Sequence, residues 1–184
     1  MIIVHHLNDS RSQRVLWLLE ELGLPYEVKR YQRDPRTSLA PAALKAIHPL
    51  GKSPVIEDGD VRVAETGAII EYLLEAHGNG RLKPAPGTPE ARRYTYWLHY
   101  AEGSAMTPLL LKLVFSHLPK RSPLLIRGIV KAVSDKVQQT FIDPQITAHT
   151  AYWEDELGRS EWFAGDEFSA ADIMMSFPLE AAGS

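Results

Sequence analysis

No cysteine occurs among the 184 residues. That absence removes disulfide scaffolds, thiolate-ligated metals and any mechanism in which the chain's own thiol attacks a substrate. Long apolar runs are missing too. The most extended, residues 109–115, is interrupted by Lys112 and falls far short of the ~18 residues a membrane span needs. Neither sign of charge dominates: 20 basic against 23 acidic side chains leave a net charge of -3, which offers no field for a nucleic-acid backbone. The histidines show no metal-ligand grouping. His5 and His6 are neighbours in a strand pattern, so their rings point to opposite faces, and His77, His99, His117 and His149 are scattered. No metal is expected. The start, Met1-Ile2-Ile3-Val4, lacks a basic leader and meets His5, His6, Asn8 and Asp9 at once, unlike a secretory signal. A soluble, cytoplasmic protein is the expectation. What remains is an ordinary globular composition, 45% hydrophobic and 23% charged with 13 prolines, enough for one domain or two small ones at about 150 residues each.

Two regions differ in period. Residues 2–7 form a short β-branched run, read as a buried strand. Asn8-Asp9-Ser10-Arg11-Ser12 is polar, and Val15, Leu16, Leu18, Leu19 and Leu22 then recur at helical spacing until Gly23 and Pro25 stop them. Residues 26–31 alternate as a second strand, and strand–helix–strand at this length implies a parallel βαβ unit. After a short helix over 41–47, Val55-Ile56-Glu57 and Val61-Arg62-Val63 flank Asp58-Gly59-Asp60, a hairpin signal. Thr66 reads as the cap of a helix carrying Ile69, Ile70, Leu73 and Leu74 on one face. The order βαβαββα gives a mixed sheet with helices over residues 1–78.

Residues 79–88 have the proline, glycine and polar content of a linker. Residues 89–184 are helical in pattern. One long helix is predicted over 89–118, with Thr88 as cap and Pro89 in the first turn, and another over 124–142. Asp143-Pro144 must kink it or start a new segment running to Leu157. Ser169-Ala-Ala-Asp172 reads as a capping box, with Phe168 and Ile173 as its staple. The helix it opens ends the sequence with Ile173, Met174, Phe177 and Leu179 short of partners. The expectation is therefore that the natural C-terminal helices are not part of this sequence.

Clefts between such domains are favoured ligand sites, and three loops offer chemistry there. Residues 8–12 precede a helix, whose free N–H groups and dipole favour an anion, although plain capping is the simpler reading of that fragment alone. In His48-Pro49-Leu50-Gly51-Lys52-Ser53-Pro54-Val55, a trans Ser53-Pro54 bond is the default, since only ~5–6% of X–Pro bonds are cis. A cis bond would present the Ser53 backbone as a short edge for an extended peptide. In Ala64-Glu65-Thr66-Gly67, a helix start for a carboxylate stands beside Glu65 for an ammonium, a pair suited to an amino-acid zwitterion. Taken singly, Thr before a helix is usually only a cap.

Together these segments resemble the cytosolic glutathione transferase family over essentially the whole chain. The resemblance is carried by S-R-S-Q-R-V-L-W-L-L-E-E-L-G-L-P-Y-E from Ser10, H-P-L-G-K-S-P-V from His48, A-E-T-G-A-I-I-E-Y-L from Ala64 and W-F-A-G-D-E-F-S-A-A-D-I from Trp162. Its flavour is that of serine-type, theta-like bacterial and fungal members. It implies a thioredoxin-like α+β domain followed by an all-α domain, glutathione as co-substrate with no other cofactor, a small hydrophobic electrophile and a homodimer.

The resemblance assigns the γ-glutamyl end of glutathione to Glu65 and Thr66. Its cysteinyl backbone goes to Ser53 before a cis Pro54, and the glycine end to Lys52, with His48 in the same loop. The tyrosine of other classes is replaced by His6, so the thiol-activating group implied is Ser10, four residues before Arg14, with Ser12 as alternate and Asn8 as a secondary donor. Tyr100, Met106, Leu109, Leu110 and Leu113 are candidates for the electrophile's apolar wall, although apolar residues at helical spacing are more often core. Glu102 is a candidate partner for the γ-glutamyl ammonium, a solvated surface charge being its plainer reading. The implied activity is conjugation of glutathione to electrophiles. Glutathione-dependent reduction of organic hydroperoxides and a non-catalytic glutathione-binding role are the alternatives.

Overall fold

In the computed structural model, which describes residues 1–183, β1 (Ile2–Leu7) is the strand on which the N-terminal half is built. It pairs in parallel with β2 (Tyr26–Tyr31), from Ile2↔Tyr26 to Leu7↔Tyr31, and antiparallel with β3 (Val55–Asp58), from Ile2↔Asp58 to His5↔Val55. β4 (Val61–Ala64) pairs antiparallel with β3, so the order is β2-β1-β3-β4. These directions put the end of β1, the start of β3 and the end of β4 at one edge. The loops at residues 8–12, 53–54 and 65–66 therefore meet there by topology.

α1 (Gln13–Leu22) buries Val15, Leu18, Leu19 and Leu22 and is closed by Gly23 at φ +65°, a left-handed conformation in which glycine carries no Cβ penalty. α2 (Ala42–Ile47) is short. α3 (Thr66–His77) lays Ile69, Ile70, Leu73 and Leu74 into the same core. The residue-level expectation for Thr66 is corrected: Glu65 occupies the capping position and Thr66 is the first helical residue.

His5 is fully buried in β1. Its Nδ1 lies 2.9 Å from the Tyr31 hydroxyl and its Nε2 3.3 Å from the Glu57 carboxylate. Burial pushes the His5 pKa below its ordinary 6.5, with Glu57 opposing. A lowered folded-state value means the unfolded chain binds the proton more readily, so this stability is present above 6.5 and lost as the pH falls. Thermal unfolding should show the midpoint dropping on acidification below that value, with a flatter slope in His5→Gln.

The segment 79–88 is tied down. Arg81 Nη2 donates to the Leu22 carbonyl at 2.7 Å, and the Leu82 carbonyl accepts from Ala170 N at 2.9 Å. The single long helix expected next is two. α4 (Pro89–Tyr100), capped by Thr88 accepting from Ala91 N at 3.1 Å, passes through a π-helical turn at Ala101–Ala105 into α5 (Met106–Arg121). The turn's sequence, Ala-Glu-Gly-Ser-Ala, is small enough to accept an extra residue per turn, a distortion common at functional sites. After a 3₁₀ turn (Leu124–Ile126) comes α6 (Arg127–Val137), and then a second π turn (Gln138–Ile142) leads into α7 (Asp143–Leu157). The wide turn answers Asp143-Pro144: it lies before the proline, and Pro144 falls in the first turn of α7, where its missing N–H costs little.

α8 (Ala170–Ala182) opens with the expected box. Ser169 Oγ accepts from Ala171 N, and Asp172 accepts from Ser169 N at 2.8 Å. Its apolar face is better partnered than its sequence suggested. Ile173, Met174 and Met175 are buried in one cluster with Leu18, Trp97 and Trp153, Phe177 lies beneath two guanidinium groups, and Leu179 stays partly exposed. The result is a thioredoxin-like α+β domain followed by a helical domain on one continuous core. Among the described residues no helix is long and apolar enough to cross a membrane.

Candidate functional site

At the shared edge a hydrogen bond joins the first two loops, and Arg14 of α1 reaches Thr66 beside the third. The Ser53-Pro54 peptide is cis. Ser53 Oγ accepts from Leu7 N at 3.1 Å and donates to the His5 carbonyl at 2.8 Å, which ties the start of β3 to the end of β1. Ser10 Oγ–H donates to Ser53 Oγ at 3.3 Å and lies 2.9 Å from Ser12 Oγ. Ser12 holds the capping position of α1, but its hydroxyl makes no capping bond and instead lies 2.6 Å from His6 Nδ1. Ser12 is fully buried while Ser10 is half-buried, so of the two serines Ser10 has the solvent access. Asn8 has both ends of its amide engaged: Oδ1 accepts from Arg33 N and Nδ2 donates to Asp9. His6 and His5 have separate partners, as neighbours on opposite faces of a strand must.

Glu65 adopts φ +71°, a region that costs a non-glycine residue of order 1–3 kcal/mol and persists only where the surroundings hold it. The first rung of α3 is Ile69 N to the Glu65 carbonyl, at 2.9 Å. The N–H groups of Thr66, Gly67 and Ala68 therefore precede the helical ladder, with no side-chain cap on them. Such a helix start suits an anion, and the exposed Glu65 carboxylate lies beside it. Lys52 is exposed next to Ser53, and His48, closing α2, has its Nδ1 buried without a hydrogen-bond partner among the described residues.

Arg14 is the site residue whose role the sequence reading missed. It is fully buried, donates to the Met174 carbonyl at 2.9 Å and to Thr66 Oγ1 at 3.3 Å, and is paired with Glu102, which also holds Arg11. Burial lowers the Arg14 pKa and Glu102 opposes the shift. One guanidinium thus joins α1, α3, α8 and the π turn. The signal was present: Arg14 lies on the apolar face of α1 beside Val15 and Leu18. Glu102 is correspondingly not the solvated surface charge of the plainer reading. Glu102→Gln should leave Arg14 without its carboxylate, destabilise the protein by about 2 kcal/mol because the carboxylate is only partly buried, and loosen the Thr66 end of the site. Chemical denaturation and a glutathione titration measure both.

The apolar wall divides. Tyr100 and Met106 are buried in the helical core, Tyr100 with its hydroxyl engaged by Trp153 Nε1 at 3.0 Å and by His149. Leu110 and Leu113 are half exposed on α5. A shallow, open depression of about 410 Å³ lies between α4 and α7, lined by Tyr96, Tyr100, Gln145, Ala148, His149 and Tyr152. No residue of the sheet domain reaches it. No group of His, Asp or Glu suited to a metal ion occurs among the described residues.

Comparison with known proteins bears on the family and the fold. Residues 1–75 match the family model described as glutathione S-transferase, N-terminal domain. Over 183 residues the chain is 36% identical to glutathione S-transferase 3 of Schizosaccharomyces pombe, covering 99% of this chain and 74% of the relative. It is 35% identical over 190 residues to glutathione S-transferase 1 of Saccharomyces cerevisiae, covering 99% and 81%. Among solved structures, a glutathione S-transferase from Actinobacillus pleuropneumoniae superposes with a TM-score of 0.73 at 34% identity, covering 99% of this chain and 78% of that one.

Proposed function

The chain belongs to the glutathione S-transferase family, and from that premise we propose that it is a serine-type transferase whose Ser10 hydroxyl stabilises the glutathione thiolate for attack on small hydrophobic electrophiles. The observation that carries the reading is the accessible Ser10 hydroxyl at the start of α1, hydrogen-bonded to Ser53 at the same edge as the uncapped start of α3. The N–H groups of Thr66 and Gly67 take the γ-glutamyl carboxylate, and Glu65 takes its ammonium. The backbone of Ser53, set by the cis Pro54, pairs with the cysteinyl unit, and Lys52 with His48 faces the glycine carboxylate.

Ser10 is not a base in this scheme. The thiol proton leaves to solvent, the Ser10 O–H donates to the sulfur anion, and the helix N-terminus adds to the effect. The sulfur lone pair then forms the S–C bond as the electrophile's leaving group departs with its electron pair. Leu110 and Leu113, half exposed on α5, supply apolar surface for that electrophile. The C-terminal end of α5 approaches the sheet domain through Arg121, 3.3 Å from Ser38 Oγ. A homodimer and a cytoplasmic location belong to the same proposal. Turnover of chlorodinitrobenzene with glutathione, together with calorimetric glutathione binding, tests it. Protein that binds no glutathione sinks the reading, and protein that binds it but turns over no electrophile reduces it to a binding role.

A further inference from the structure

The hydroxyl cluster fixes its own proton arrangement by counting. Each serine carries one hydroxyl proton. The His5 carbonyl can only accept, so the Ser53 proton is spent on it at 2.8 Å. Ser53 Oγ can then only accept from Ser10, so the Ser10 proton points to Ser53 at 3.3 Å. The 2.9 Å contact between Ser10 and Ser12 must therefore be donated by Ser12. With that proton used, the 2.6 Å contact between Ser12 and the imidazole must be donated by the ring. We infer that His6 is held with its proton on Nδ1 and acts as a positioning residue, directing the chain His6 Nδ1–H to Ser12 to Ser10 so that the Ser10 proton alone is left for the substrate sulfur.

The consequence is chemical. A ring with Nδ1 bare would accept from Ser12. Ser12 would then accept from Ser10, and the proton that has to meet the thiolate would be turned into the protein. In the arrangement the contacts require, the Ser10 proton is parked on a long bond, easily exchanged for sulfur, and each bond upstream polarises the next. Burial lowers the His6 pKa, with Arg30 of β2 adding to the shift and Asp9 opposing it. The ring's Nδ1–H is common to its neutral and protonated forms, so titration at Nε2 leaves the direction of the chain unchanged. Ser12 contributes no capping bond to α1, and His6 is only half-buried, so both can be replaced without dismantling the fold.

This inference rests on the assignment of Ser10 to the sulfur, and its test is built to separate the two. Nitrogen-15 spectra of ligand-free protein should show His6 protonated at Nδ1; a neutral ring protonated only at Nε2 overturns the inference whatever the enzyme does. With glutathione bound, Ser12→Ala and His6→Phe should each raise the thiol pKa, lowering the thiolate ultraviolet absorbance about fivefold and kcat by less than about twofold because the more basic sulfur is the better nucleophile, with little change in the affinity for S-methylglutathione. His6→Asn, which can place an N–H near the Nδ1 position, should restore most of the loss. In a Ser10→Ala background neither substitution should have a further effect on the thiol. An unchanged thiol pKa in Ser12→Ala, or a full additional loss in the Ser10→Ala background, refutes the chain.

Discussion

Replacing Ser10 by alanine is expected to empty the bound thiolate at neutral pH while leaving glutathione affinity nearly intact. A thiol at its free pKa of ~8.5 is about 3% ionised at pH 7, and one lowered to ~6.5 is about three-quarters ionised, a difference of roughly 25-fold. Thiolate absorbance should fall by that factor. The rate should fall less. The more basic sulfur of the variant is a better nucleophile, and a Brønsted slope of ~0.4–0.5 over two units returns about eightfold. The ionisation effect alone is then only about threefold in kcat, and anything larger measures lost orientation of the sulfur against the electrophile. The sign reverses with pH: above ~8.5 both proteins are ionised, and the variant's sulfur is the stronger nucleophile. A profile in which Ser10→Ala is depressed equally at all pH values would show that the hydroxyl positions the sulfur and does not ionise it. Affinity that collapses with the substitution would show that Ser10 is chiefly a binding group.

The second large effect is on stability. Asp172 is buried, and its carboxylate accepts from Phe163 N at 2.8 Å, from Ser169 N at 2.8 Å and from Ser169 Oγ at 3.0 Å. Asp172→Ala leaves two buried backbone donors without an acceptor, each worth about 1–3 kcal/mol, so a loss of about 3 kcal/mol is expected in urea or thermal unfolding. The consequence reaches beyond one helix end. α8 supplies Ile173, Met174 and Met175 to the core and the Met174 carbonyl to Arg14, so a loosened α8 also frees the guanidinium under Thr66. Asp172→Asn keeps the shape and one acceptor oxygen, and should recover part of the loss. Equal stability of all three proteins would mean that the box only decorates a helix held by packing.

Much of this was legible because it is local. The glycine after α1, the Asp-Gly hairpin, Thr88 before Pro89 and the box at Ser169 are each written within a few residues, where backbone sterics and side-chain hydrogen bonds leave little choice. The three loops were legible as chemistry for the same reason, helix starts and prolines being short-range signals. The joined helices were not. Helical period alone cannot register the extra residue of a π turn, which small side chains at Ala101–Ala105 permit but do not demand.

By itself the sequence determined the element order of the sheet domain, the family resemblance and the residue types at each loop. It also set Ser10 and Ser12 as candidates without ranking them by access. The tertiary structure buried Ser12 and left Ser10 half-buried, brought Glu102 across from the helical domain to a buried Arg14, and buried Tyr100 and Met106 in the helical core. It also set His6 against Ser12. These are contacts between residues up to 88 positions apart, as for Arg14 and Glu102. Hydrophobic period fixes which face of a helix turns inward, whereas which distant charge or hydroxyl meets it there is settled only when the faces pack.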